Sequence, residues 1–131
     1  MHIEIFSLCD AASVDNGGKL SLLGAFDTIS AASMPVVYPS FTIALRIRFD
    51  GIERGEHKVA FNFVDIDGKH ILPPASGVIN VNFHNEQRSG SANYIINVQM
   101  VKLEKYGEYS IDLAINGRKE SSLPLFVISP R

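Results

Sequence analysis

The chain has no tryptophan, a single cysteine and no excess of basic residues, and each shortage narrows what it can be. With Cys9 alone, an internal disulfide is excluded, although secreted all-β domains of this size often carry one. Twelve Lys and Arg against fourteen Asp and Glu give a net charge of -2. The basic residues are scattered, so no stripe exists to neutralise a row of phosphates, and nucleic acid is not an expected partner. No run approaches the roughly 18 consecutive apolar residues of a membrane span, so no membrane association is expected. The opening MHIEIFSLCDAAS has no Lys or Arg ahead of its apolar part, and Glu4 interrupts that part, so it does not read as a secretory leader. The expected location is the cytoplasm.

What remains is an ordinary globular composition, 46% hydrophobic and 20% charged over 131 residues, enough for one domain spanning residues 1–131. Strand-like alternation recurs along the chain, while helical spacing never holds for more than a turn or two. Phe41, Ile43, Leu45, Ile47 and Phe49 point one way, and Thr42, Ala44, Arg46 and Arg48 the other. Val59, Phe61 and Phe63 repeat the pattern, as do Ile79, Val81 and Phe83. Tyr94, Ile96, Val98 and Met100 follow in phase, but Val101 and Leu103 fall out of it, implying a bulge near Met100 or Val101. Residues 2–8 are apolar on both faces, which fits a strand covered on both sides or one that changes sheets. Residues 9–13 could begin a helical turn before Asp15-Asn16-Gly17-Gly18 reverses the chain. Gly24, inside an apolar run, suggests a bulge or a close approach of another backbone. Pro35 and Pro39 bracket a piece that reads as an edge strand or a crossover between sheets.

The clearest unit is the last one. Residues 108–116 alternate polar and apolar, Asn116-Gly117 supplies a turn, and Leu123, Leu125 and Val127 extend the return, making a β-hairpin with one buried face. Its string Tyr106-Gly107-Glu108-Tyr109-Ser110-Ile111 resembles the penultimate strand of immunoglobulin-like sandwiches. That resemblance makes Tyr109 the corner tyrosine, with Ile111 where antibody domains have a cysteine. It implies architecture and no immune-type recognition. The whole chain also resembles a family of small bacterial proteins of unknown function, of about this length. The resemblance rests on Leu8-Cys9-Asp10, Gly18-Lys19-Leu20, Gly24-Ala25-Phe26-Asp27, Arg46-x-Arg48-Phe49, Asp65-x-Asp67-Gly68, Tyr106-Gly107-x-Tyr109 and Leu123-Pro124-Leu125-x-Val127. The expected fold is an all-β, immunoglobulin-like antiparallel β-sandwich of about eight or nine strands.

No catalytic, metal or cofactor constellation is legible. Asp65 and Asp67 lack the longer acidic loop that calcium needs, and read as turn residues. The four histidines show no paired zinc spacing. A carboxylate beside Cys9 would disfavour its thiolate, so a small buried cysteine is expected. Arg46 and Arg48 could clamp an anion or pair with acids on neighbouring strands. Asn62, Asn80, Asn82, Asn97 and Gln99 occupy the non-core phase of their strands, where Asn is a poor strand former. If those strands are neighbours, the amides make one face able to bind a sugar, a peptide backbone or a second subunit. The expectation is a non-enzymatic binding or structural module acting through protein–protein contacts or self-association. The alternative is a small-molecule-binding or hydrolytic enzyme using acidic loop residues.

Overall fold

Alternation at a period of two becomes nine strands in a computed structural model that describes residues 1–130; Arg131, the last residue of the expected domain, lies outside the described residues. The strands are β1 (His2–Val14), β2 (Leu20–Ala25), β3 (Thr28–Ser30), β4 (Val36–Asp50), β5 (Gly55–Asp65), β6 (Ala75–Val81), β7 (Ser89–Leu103), β8 (Gly107–Ile115) and β9 (Arg118–Ile128). They form two sheets, one of four strands ordered β2-β1-β4-β7 and one of five ordered β3-β9-β8-β5-β6. Phe41, Ile43, Leu45, Ile47 and Phe49 of β4 are buried against Val59, Phe61 and Phe63 of β5 and Ile111 and Leu113 of β8. Both sheets therefore contribute their inward residues to one apolar core, and the protein is an all-β sandwich. Every strand pairing is antiparallel except the three-residue contact of β3 with β9.

The tyrosine corner is present. Tyr109 is 2% exposed; its hydroxyl donates to the Lys105 carbonyl at 2.6 Å and accepts from the Lys105 amide at 3.3 Å. Two residues on, Ile111 is wholly buried. On the open side of the sandwich Tyr94 of β7 stacks on Phe61 with centroids 6.1 Å apart, and its hydroxyl fills the space a side chain at Gly77 would need.

Several local expectations are corrected. Residues 9–13 continue β1 and pair with β2 instead of forming a helical turn. The double-faced apolar pattern of residues 2–8 has a different cause from those expected: the register of β1 on β4 shifts between Ile3 and Ile5. Glu4 is the extra residue, so Ile3 and Phe6 both reach the core. At Met100 no residue is inserted. The pairing of β4 with β7 keeps one register across this point, with φ of 54° at Met100 opposite Pro39. Both strands change face there together, burying Val101 and Leu103 and exposing Met100. Residues 36–38 begin β4 rather than forming a separate piece, and the crossover between sheets precedes them. At Gly24, with φ of 71°, the close neighbour is the Asp10 carboxylate, not a backbone.

Candidate functional site

β7 is 15 residues long and pairs on one side only, with β4, from Ser89 opposite Asp50 to Leu103 opposite Val36. Along such an edge every second residue turns its N–H and C=O away from the sheet, where a further strand can pair. No charged residue occurs from Ser89 through Val101. Natural edges are usually guarded by charge, proline or brevity, and this stretch has none of the three.

The face that β7 borders is the outer surface of the four-stranded sheet. Across it the register sets Cys9, Thr42 and Asn97 in one row and Ser7, Ala44 and Ile95 in the next. Cys9 and Ala44 are 0% exposed and Thr42 is 3% exposed; past Cys9, β1 leaves β4, and the turn that follows it returns to this face, its Gly18 carbonyl accepting from Arg46 and Asn93. The Cys9 thiol donates to the Thr42 carbonyl at 3.6 Å; burial, and after it the Asp10 charge, push that thiol up from its ordinary value. Such a thiol is a poor nucleophile. Leu23 of β2, in phase with Ala25 beside Cys9, remains 71% exposed.

At one end of this face charge is paired across strands. The β1 bulge aims Glu4 between Arg46 and Arg48, whose Nε atoms donate to its two carboxylate oxygens at 2.9 and 2.6 Å. Hydrogen bonding from Arg48, ahead of that from Arg46, holds the Glu4 carboxyl below its ordinary value despite some desolvation. Both guanidinium groups thus share one carboxylate from within the chain. Arg46 also donates to Asn93 Oδ1 at 3.0 Å, and Asn93 Nδ2 donates to the Gly18 carbonyl at 3.0 Å. Thr42 Oγ1 donates to Asn97 Oδ1 at 2.8 Å. Two β7 amides are therefore fixed in orientation, and among the described residues Asn97 Nδ2 makes no hydrogen bond.

The five amide residues do not share one face. Asn62 on β5, opposite Asp112, and Asn80 on β6, opposite Glu56, belong to the five-stranded sheet. Asn82 follows the end of β6, while Asn97 and Gln99 lie on β7 in the other sheet. What the structure places beside Asn97 and Gln99 is Ile95 and Asn93, two and four residues before Asn97 in the same phase. Alternation alone was enough to find them, since Ser91, Asn93, Ile95, Asn97 and Gln99 are every second residue.

The acidic loop residues are dispersed. Asp65 is buried and caps its own turn, accepting from the Asp67 and Lys69 amides, each at 2.9 Å. The Lys69 amide bond, foremost, keeps its carboxyl below the usual range. Lys105 Nζ lies 3.2 Å from Asp67 and 3.8 Å from Asp65, at the mouth of a cleft of about 650 Å³. Asp10 covers Gly24, and Asp27 lines a separate cleft beside Phe26 and Pro124. At the opposite end of the sandwich His57 stacks on Phe49 and contacts the Glu53 carbonyl and Asn116. Among the described residues no three of His, Cys, Asp and Glu come together as metal ligands would. Among the described residues no helix is long and apolar enough to cross a membrane.

No curated protein matches the chain. Among solved structures it is similar to the Pseudomonas fluorescens alkylpurine DNA glycosylase AlkC bound to DNA containing an abasic site analog, with a TM-score of 0.53 and 9% identity. The match covers 98% of this chain and 30% of that one, so the chain spans under a third of that enzyme's length, and the likeness is one of fold. The sequence profile of a family of unknown function, DUF6941, matches residues 4–128, and the chain belongs to that family.

Proposed function

We propose that the protein is a non-enzymatic cytoplasmic binding module that acts through protein–protein contacts, taking an extended segment of its partner along the free edge of β7. The observation that carries this reading is the uncharged, one-sided edge from Ser89 to Val101. Strand addition draws affinity from main-chain hydrogen bonds, each contributing a net of roughly 0.5–1.5 kcal/mol. Specificity comes from the side chains that alternate across the new pair. Asn93, Asn97 and Gln99 offer amide donors and acceptors there, and Ile95 an apolar contact. Arg46 and Arg48 share the Glu4 carboxylate, which leaves a single net positive charge there and no row of cations for phosphates, and this supports a protein partner over nucleic acid.

A photo-crosslinking residue at exposed Gln99 tests the reading, with the same residue at exposed Ser122 on the outer face of the five-stranded sheet as reference. Irradiation in the native cell should give protein adducts from position 99 and few from position 122. No adducts from 99, or equal yields from both, would overturn it.

A further inference from the structure

Resting on that reading of the β7 edge, we infer that its occupant is a second copy of this chain, the two β7 strands pairing antiparallel about Ile95 so that two four-stranded sheets become one of eight. The argument is the self-complementarity of residues 91–99. Folded back on itself about Ile95, the segment sets Ser91 opposite Gln99, Ala92 opposite Val98, Asn93 opposite Asn97, Tyr94 opposite Ile96, and Ile95 opposite its own copy. On the outer face every polar residue meets a polar one and the apolar residue meets itself. A slip of two residues in either direction sets Ile95 against Asn93 or Asn97, stranding an amide beside an isoleucine. One register is therefore selected, and a two-fold axis through Ile95 satisfies the same contacts twice, as an isologous dimer requires.

The amides are already oriented for it. Asn97 spends its Oδ1 on Thr42 and keeps Nδ2 free, while Asn93, held by Arg46 and the Gly18 carbonyl, keeps one lone pair of Oδ1 available. Each copy's Asn97 Nδ2 can donate to the other's Asn93 Oδ1. The limits of the ladder are also built in. At one end Met100 turns the strand at a φ of 54°, and at the other Gly90 is buried beneath Phe83. No like charges oppose one another anywhere between these limits. A nine-residue ladder lies at the small end of protein interfaces, so the dimer forms reversibly and falls apart on dilution.

Cysteine pairing tests the register. Opposed residues of an antiparallel pair have Cβ atoms about 4.5–5.5 Å apart, near enough for a disulfide after small adjustment. Under diamide, which takes up the two electrons and two protons released, Ile95→Cys should give a covalent homodimer of twice the 14.4 kDa chain mass. Ser91→Cys alone should give little, and a mixture of Ser91→Cys with Gln99→Cys should give the mixed dimer. The unaltered chain, with Cys9 buried, should give none. Crosslinking of Ser91→Cys as efficient as that of Ile95→Cys would overturn the register. Sedimentation of the unaltered chain guards against a misfolded variant: a single monomer mass at every concentration overturns self-pairing. If that happens while position 99 still yields adducts with another protein, the edge reading stands and the self-partner falls; if position 99 yields none, both fall.

Discussion

The two sheets share a core but end differently. The five-stranded sheet stops at β3, three residues long, and at β6, seven residues long and entered from Pro73 and Pro74. Brevity and proline leave little for another strand to pair with. The four-stranded sheet ends on one side at β2, six residues long and broken by Gly24 at φ of 71°. Its other end, β7, is 15 residues long with its first charge at Lys102. The outer faces differ in the same sense. On the five-stranded sheet, burial opposes ionisation of Asp112, but hydrogen bonds from Ser122 and Ser110, at 2.6 and 2.7 Å, and the nearby Lys119 outweigh it and keep that carboxyl below its usual value. The corresponding centre of the four-stranded sheet is Cys9, Thr42 and Ala44, with no charge. One sheet is finished for solvent on its face and edges, and the other is left open at β7.

If the difference lies only at the surface, the interiors should respond alike. Leu45→Ala and Leu113→Ala, both at fully buried positions in opposite sheets, should each remove about 2–5 kcal/mol of stability in urea unfolding. A large loss in one alone would mean that the sheets do not share a single core. Next in size is the contrast between two tyrosines. Tyr109→Phe removes the hydroxyl bonded to Lys105 and should lose roughly 0.5–1.5 kcal/mol. Tyr94→Phe, whose hydroxyl makes no hydrogen bond among the described residues, should change stability by much less. Equal effects would dismiss the corner as a stabilising feature.

The smallest effect is a pH dependence. The Glu4 carboxyl is held below its ordinary value of 4.5 in the folded chain, so its contribution is complete above that value and disappears as pH falls through the lowered one. Glu4→Gln should therefore be less stable than the unaltered chain at neutral pH, and the gap should close in acid. Urea midpoints at both conditions check this, and a gap that widens in acid would contradict the ion-pair account of the bulge.

Much of the architecture was legible because short-range alternation carries it. Phe41 to Phe49 and the hairpin around Asn116-Gly117 show their buried faces directly, and Tyr109 announced its corner from its neighbours Tyr106 and Gly107. What alternation cannot show is which sheet a strand joins, since that is decided by pairing between residues far apart. Asn80 and Asn97 both face outward, as their phase required. The polar loop between them carries the chain from one sheet to the other, so the expected amide face is divided. The β1 bulge was hidden for a related reason: the apolar pattern of Ile3, Ile5, Phe6 and Leu8 fits several registers, and only the pull of Arg46 and Arg48 on Glu4 distinguishes them. β3, with three residues and one buried side chain, Ile29, carries too little pattern to be read at all.

The contrast between the edges of β7 and β6 is tested most directly by residue-resolved hydrogen exchange at two protein concentrations. On concentration, the outward-facing amides of residues 91–99 should gain protection, while the free-edge amides of β6 should exchange equally fast at both. Amides of residues 91–99 that exchange as fast as those of β6 at every concentration, with or without extract from the native cell, would contradict the claim that β7 is where this protein binds.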